Sequence, residues 1–170
     1  MKTKFTLIVA LTILIIPFAY AQDLILPSPG ITPDSALWGL DLAMEKIQLA
    51  LTRDPAAKVQ KRMEIIDERL SEEKVMAEAG NEVAFDKAEL RRQLDTAEIK
   101  SDLDDKDIPE NVKARVLENL QKHLTVLQGV QTNLQWRGIN ATGVTRAIDN
   151  ANENILKFEN KPTQNQLGGY

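Results

Sequence analysis

Residues 32–52 read TPDSALWGLDLAMEKIQLALT, and wound as a helix this stretch is apolar on two opposite sides. At about 100° per residue, Leu37, Leu40, Met44, Ile47 and Leu51 follow the 3,4,3,4 spacing of one face. Trp38, Leu42 and Leu49 form a second stripe nearly opposite. Ala36, Ala43 and Ala50 recur every seven residues on one flank, where small side chains admit a neighbouring backbone, and Asp41, Glu45, Lys46 and Gln48 keep only narrow strips. Such a helix is expected to be surrounded. The first stripe is expected to pack on the second and fourth helices, and the second stripe on the fifth or on the lead-in around Leu24, Ile25 and Leu26. Were Trp38, Leu42 and Leu49 open to solvent instead, they would be the candidate partner-binding surface, with Trp38 as anchor. Thr32 is placed to cap the helix, with Pro33 at its first position and Asp34 in its first turn, and Asp54-Pro55 ends it and starts the next.

Upstream, Lys2 and Lys4 precede an apolar run over residues 5–16, followed by Pro17 and the small-residue pattern Ala19-Tyr20-Ala21. This is the layout of a secretory signal peptide spanning residues 1–21, cleaved between Ala21 and Gln22. The rival reading is an uncleaved membrane anchor, although the run is shorter than the ~20 residues a spanning helix needs. Residues 22–31, QDLILPSPGI, carry two prolines and a glycine and read as an extended lead-in.

Downstream, residues 55–79 form a charged helix with the stripe Val59, Met63, Ile66, Leu70 and Ala77, stopped by Gly80. Its Glu68, Arg69 and Glu73, like Lys61 and Glu64, read as a water-facing surface. Residues 81–103 read as a third helix, with Val83, Leu90, Leu94 and Ala97 on a line broken by Lys87 and Ser101, and are expected to pack most loosely. Residues 109–136 give the longest helix, with a spine of Val116, Leu120, Leu127, Val130 and Leu134, Gly129 as a point of close approach or bend, and His123 at the edge of the spine. A fifth helix follows Gly138, with Val144, Ile148, Ala151, Ile155 and Phe158 on one face. Asn140 begins an Asn-Ala-Thr glycosylation sequon and is equally placed as a helix cap. Residues 161–170 are polar and unpatterned, the composition of a disordered tail. The fold expected is all-α, a helical bundle of about five helices over residues 32–160 behind the signal peptide.

Removing 21 of 170 residues leaves 149, the size of one domain. The leader takes two lysines with it, moving the net charge from −4 to −6, which argues against nucleic acid as a partner. There is no cysteine, so packing alone must hold the core. The acids Asp102, Asp104, Asp105 and Asp107 invite a calcium loop, but Lys106, Asp107 and Lys113 stand where such a loop needs a ligand, a glycine and a glutamate. One histidine without Glu three residues before it makes no di-iron pair, and no nucleophile triad, phosphate loop or His-Glu-x-x-His is present. The expectation is therefore a non-enzyme without cofactor or metal, exported to the envelope or outside the cell, touching membrane only through an uncleaved leader. Its partner would be another protein or a second copy of itself.

The run LPSPGITPDSALWGLDLAMEKIQLALTRDPAAK over residues 26–58, followed by Asp67-Glu68-Arg69-Leu70-Ser71-Glu72, resembles the opening of an exported bacterial and archaeal family catalogued as domain of unknown function 5667. That resemblance implies secretion and helices and supplies no active site. Leu124-Thr125-Val126-Leu127-Gln128 is similar to the Leu-Thr-x-x-Gln motif of Spy- and CpxP-like envelope chaperones, which implies the alternative of a stress protein that shields unfolded clients. In those chaperones the threonine lies near a helix start, whereas Thr125 falls inside a helix here.

Overall fold

In the computed structural model, residues 25–104 and 108–159 are described; the leader with its cleavage point at Ala21 and Gln22, Asp105 to Asp107, and the tail lie outside them. Five helices make up the fold: α1 (Trp38–Leu51), α2 (Pro55–Glu78), α3 (Glu82–Asp102), α4 (Glu110–Trp136) and α5 (Thr142–Glu159). The described residues contain no strand, so the chain is an all-α bundle.

The local signals act at several helix ends. Asp54 accepts the amide of Ala57, with Pro55 in the first turn of α2, and Gly80 takes the left-handed φ of +71° that closes it. Asn81 accepts the amide of Ala84 to start α3. The start of α1 differs from expectation. The Thr32 hydroxyl is spent on Asp34, the Ser35 hydroxyl takes the amide of Leu37, and residues 32–37 run as turns, so the helix begins only at Trp38 without a side-chain cap. Pro109 likewise sits at the cap of α4 rather than inside it.

Helices α2 to α5 make a four-helix bundle. α2 lies beside α3 and α4, and α5 closes the square against α3 and α4. α2 and α3 are antiparallel, as Arg62 pairs with Asp102 and Arg92 with Glu73; α4 runs parallel to α2, and α5 antiparallel to α4. The α3–α4 connection therefore crosses the diagonal of the bundle. One end of the core gathers Val59, Met63, Ile66, Ile99, Val116 and Leu120, the other Leu70, Ala77, Phe85, Leu127, Leu134 and Val144. The expected stripes of α2, α4 and α5 are thus the ones that pack, and Leu26 of the lead-in lies against the second cluster while Ile25 is exposed.

Four expectations are corrected. α3 is the most intimate neighbour of α2, because it packs with small residues, Ala84 and Ala88, alongside Phe85 and Ile99. Its line of Val83, Leu90, Leu94 and Ala97 faces outward. Gly129 stands in open space, so no other element makes a close approach there. His123 is fully buried rather than at an edge. No helix of the described residues is long and apolar enough to cross a membrane.

Candidate functional site

The largest departure from the sequence reading lies where α1 meets α2. α1 runs antiparallel to α2 on the outside of the bundle and leans almost wholly on it. Its inner side carries Trp38, Leu42, Glu45 and Leu49, the last two buried, with Asp41 at the edge. The stripe expected to pack is the one left open: Leu37, Leu40, Met44, Ile47 and Leu51 are 49–75% exposed. Trp38, Leu42 and Leu49, the candidate partner surface had they been open, face the bundle instead.

Arg69 decides that orientation. Its guanidinium is fully buried and donates through Nη1 to Glu72 and through Nη2 to Glu45, with Asp41 Oδ2 at 3.3 Å. The Trp38 ring lies 5.9 Å from the Arg69 Cζ, and its indole N–H donates to Glu72 Oε2 at 3.2 Å. A buried cation without a counter-charge costs several kcal/mol. α1 supplies that charge only by turning Asp41 and Glu45 inward, which turns its leucines outward. The carboxylates outnumber the cation, so Glu45 is pushed up to about 7 and Glu72 to about 8, in both cases by burial, which the attraction of Arg69 offsets only in part. Glu68 is raised for the same reason. Its carboxylate sits against Gly30, whose φ of +57° and missing Cβ leave it room. One carboxylate oxygen each from Asp41, Glu45 and Glu68 lie within 4.8 Å of one another, a spacing at which a hard divalent cation can be shared.

Two further networks tie α2 to its other neighbours. Arg92 of α3, buried, donates to Glu73 at 2.6 Å and to Glu89, and Glu89 also accepts from Asn150 of α5 at 3.1 Å. Burial drives Glu73 well above the usual carboxylate range, while for Glu89 the cost of burial is outweighed by Arg92 and the amides of Gln93 and Asn150, which hold it low. On the α4 side, Asp67 accepts from His123 Nε2 at 2.7 Å and from Asn119 at 2.9 Å. Burial keeps His123 neutral, so it is the Nε2–H tautomer that donates. Asp67 in turn is lowered, its burial outweighed by these partners and Lys122.

Sequence reasoning took Arg69 and Glu73 for solvated groups, because charges three and four apart on one helix look alike whether they pair along it or across to neighbours. A usable signal was present in the register: Asp41 and Glu45 lie on the same side of α1 as Trp38 and Leu49. Of the acids at residues 102–107, Asp102, the last residue of α3, pairs with Arg62 and Lys58 of α2. Asn140 is exposed one residue before the cap position of α5, and its Oδ1 accepts the amide of Thr142 in a two-residue turn.

Residues 30–137 match the profile of a family described as domain of unknown function 5667. The chain belongs to that family. No curated protein and no solved structure matches it. The matched span holds α1 to α4, including Arg69 and the acids around it, and ends before α5.

Proposed function

We propose that this domain of unknown function 5667 protein is a non-enzymatic structural or protein-interaction module of the cell envelope, and that α1 is its binding element. The observation that carries the reading is the open stripe of α1. Leu40, Met44, Ile47 and Leu51, with Leu37 at the cap, lie exposed on one face of a helix whose acidic groups Asp41 and Glu45 are turned into the bundle. Soluble monomers seldom leave such a row open without a use for it. The titratable groups lend further support: the buried Arg69, Arg92 and His123 and the half-buried Asp67 are engaged by neighbours across helices, as groups that fix an architecture are. Export rests on the leader pattern of residues 1–21.

The test is crosslinked recovery from the native envelope, comparing the wild-type chain with the double variant Leu40→Glu, Ile47→Glu. One consistent protein species, lost in the double variant, is the expected result. Recovery of many unfolded proteins, together with suppression of client aggregation at near-stoichiometric ratio, would replace this reading with the Spy- and CpxP-like chaperone. Equal recovery by both forms would remove α1 from the binding role.

A further inference from the structure

We infer that the occupant of the open α1 face is α1 of a second copy of this chain, paired antiparallel about a two-fold axis near Met44; the inference rests on the binding role proposed for α1. The first argument is spacing. Leu40, Met44, Ile47 and Leu51, with Leu37 at the cap, keep the alternating three-and-four interval without a break along α1, which is the narrow seam of a coiled coil. A seam of that kind needs a helix of matching interval, whose side chains form the holes its own knobs enter. A lipid surface or an extended peptide sets no such requirement. Ala36 and Ala43 flank the seam one heptad apart and are exposed, so nothing bulky keeps a second backbone at a distance.

The second argument is extent. α1 alone is a short contact, but it has an apolar companion. α1 and α3 both run antiparallel to α2, and they border the same groove, where Lys46, Leu49 and Ala50 face Arg62 and Glu98. On α3, the exposed Leu90, Leu94 and Ala97 adjoin the turn that carries Glu98. A standard interface buries roughly 800 Å² per partner, more than α1 offers alone, and the α3 row across the groove is the apolar surface nearest to extend it. The α3 row is interrupted by Lys87 and Ser101, whereas the α1 row is not, which puts α1 at the centre and α3 at the rim.

The helix dipoles set the direction. Asp41 and Glu45 are turned to Arg69, so Lys46 is the exposed charge on α1 itself, with Asp34 exposed just before the helix and Arg53 and Asp54 exposed just after it. A parallel pair would align the two helix dipoles, whereas an antiparallel pair opposes them.

The chain has no cysteine, so a single introduced thiol reports on pairing. In the full chain purified from an exporting host, Met44→Cys is expected to form a disulfide-linked dimer under mild oxidation, and Gln128→Cys, exposed on α4, is not. Sedimentation equilibrium should give twice the chain mass for wild type and the single mass for Leu40→Glu, Ile47→Glu, with unchanged helix content by circular dichroism. A monomeric wild type at about 100 μM, with no Met44→Cys crosslink, overturns the pairing. The role of α1 in binding then stands or falls separately, by whether the double variant loses the species recovered from the envelope. Flotation of a monomer with phosphatidylglycerol vesicles, abolished by the double variant, would likewise overturn the second copy in favour of lipid.

Discussion

α1 and α5 are both amphipathic helices laid against the bundle, and they face opposite ways. α5 buries Val144, Ala147, Ala151 and Ile155 and shows Arg146, Asp149 and Asn152 to water. α1 buries Glu45 and shows Leu40, Met44, Ile47 and Leu51. The neighbour makes the difference. α5 meets an apolar wall from α4, while α1 meets Arg69, a buried cation whose demand for carboxylates exceeds what leucines gain by leaving water. Amphipathicity says that a helix has two faces; the partner decides which one turns in.

That contrast can be broken at the buried arginines of α2 and α3. Arg92→Leu strands Glu73 and Glu89 in the middle of the bundle and is expected to lower global stability by about 3–5 kcal/mol, seen as a shifted urea midpoint. Arg69→Met should remove the reason for α1 to face outward-apolar. The expected result is release or inversion of α1, with the bundle of α2 to α5 retained. In a Trp136→Phe background, a change in Trp38 emission well before the urea midpoint of the bundle would show it. Unchanged Trp38 emission together with an unchanged midpoint would mean that Arg69 does not orient the helix.

Acidity offers a finer handle. Glu45 and Glu72 bind protons more tightly in the fold than in the unfolded chain, with folded values of about 7 and about 8. Their contribution is therefore fully present below the ordinary carboxylate pKa and is lost as pH rises through about 7 to 8. Docking of α1 should weaken as pH rises from about 4.5 to about 8, and Glu45→Gln should flatten that profile. The Asp67 and His123 pair has the opposite sign. Asp67 is lowered, so its contribution is present above the ordinary carboxylate pKa and fades as pH falls through its folded value; His123 is lowered too, so its contribution is lost as pH falls below about 6.5. Thermal melts of the two regions as a function of pH should move in opposite directions. The smallest effect belongs to the open face: in dilute solution, where copies are apart, Leu40→Glu should change stability by within about 0.5 kcal/mol, against several for a glutamate at Ala147.

The family and the all-helical fold were legible in residues 26–58 and in the clean stripes of α2, α4 and α5, because apolar periodicity and cap chemistry are local. The facing of α1 and of α3 was not. In α3 the side that packs is Ala84, Phe85, Ala88, Arg92 and Ile99, whose arginine hides the pattern, while Leu90 and Leu94 point away. Both misreadings have one physical cause: pairs such as Arg69 with Glu45, 24 residues away in sequence, exist only after the helices meet. The stretch read as needing neighbours on two sides has one, and the helix that is surrounded is α2, with Val59, Ile66 and Leu70 on one side and Arg69, Glu72 and Glu73 on others.

Because α1 is fastened to α2 mainly at the Arg69 cluster, it is expected to open as a cooperative unit of its own on the hydrogen-exchange timescale. Opening it would cost the ionic contacts and the cover over Leu49, and would leave both ends of the core intact. The amides of Trp38–Leu51 should therefore exchange through a local opening well below the global unfolding free energy, while those in the middle of α2 wait for the whole bundle.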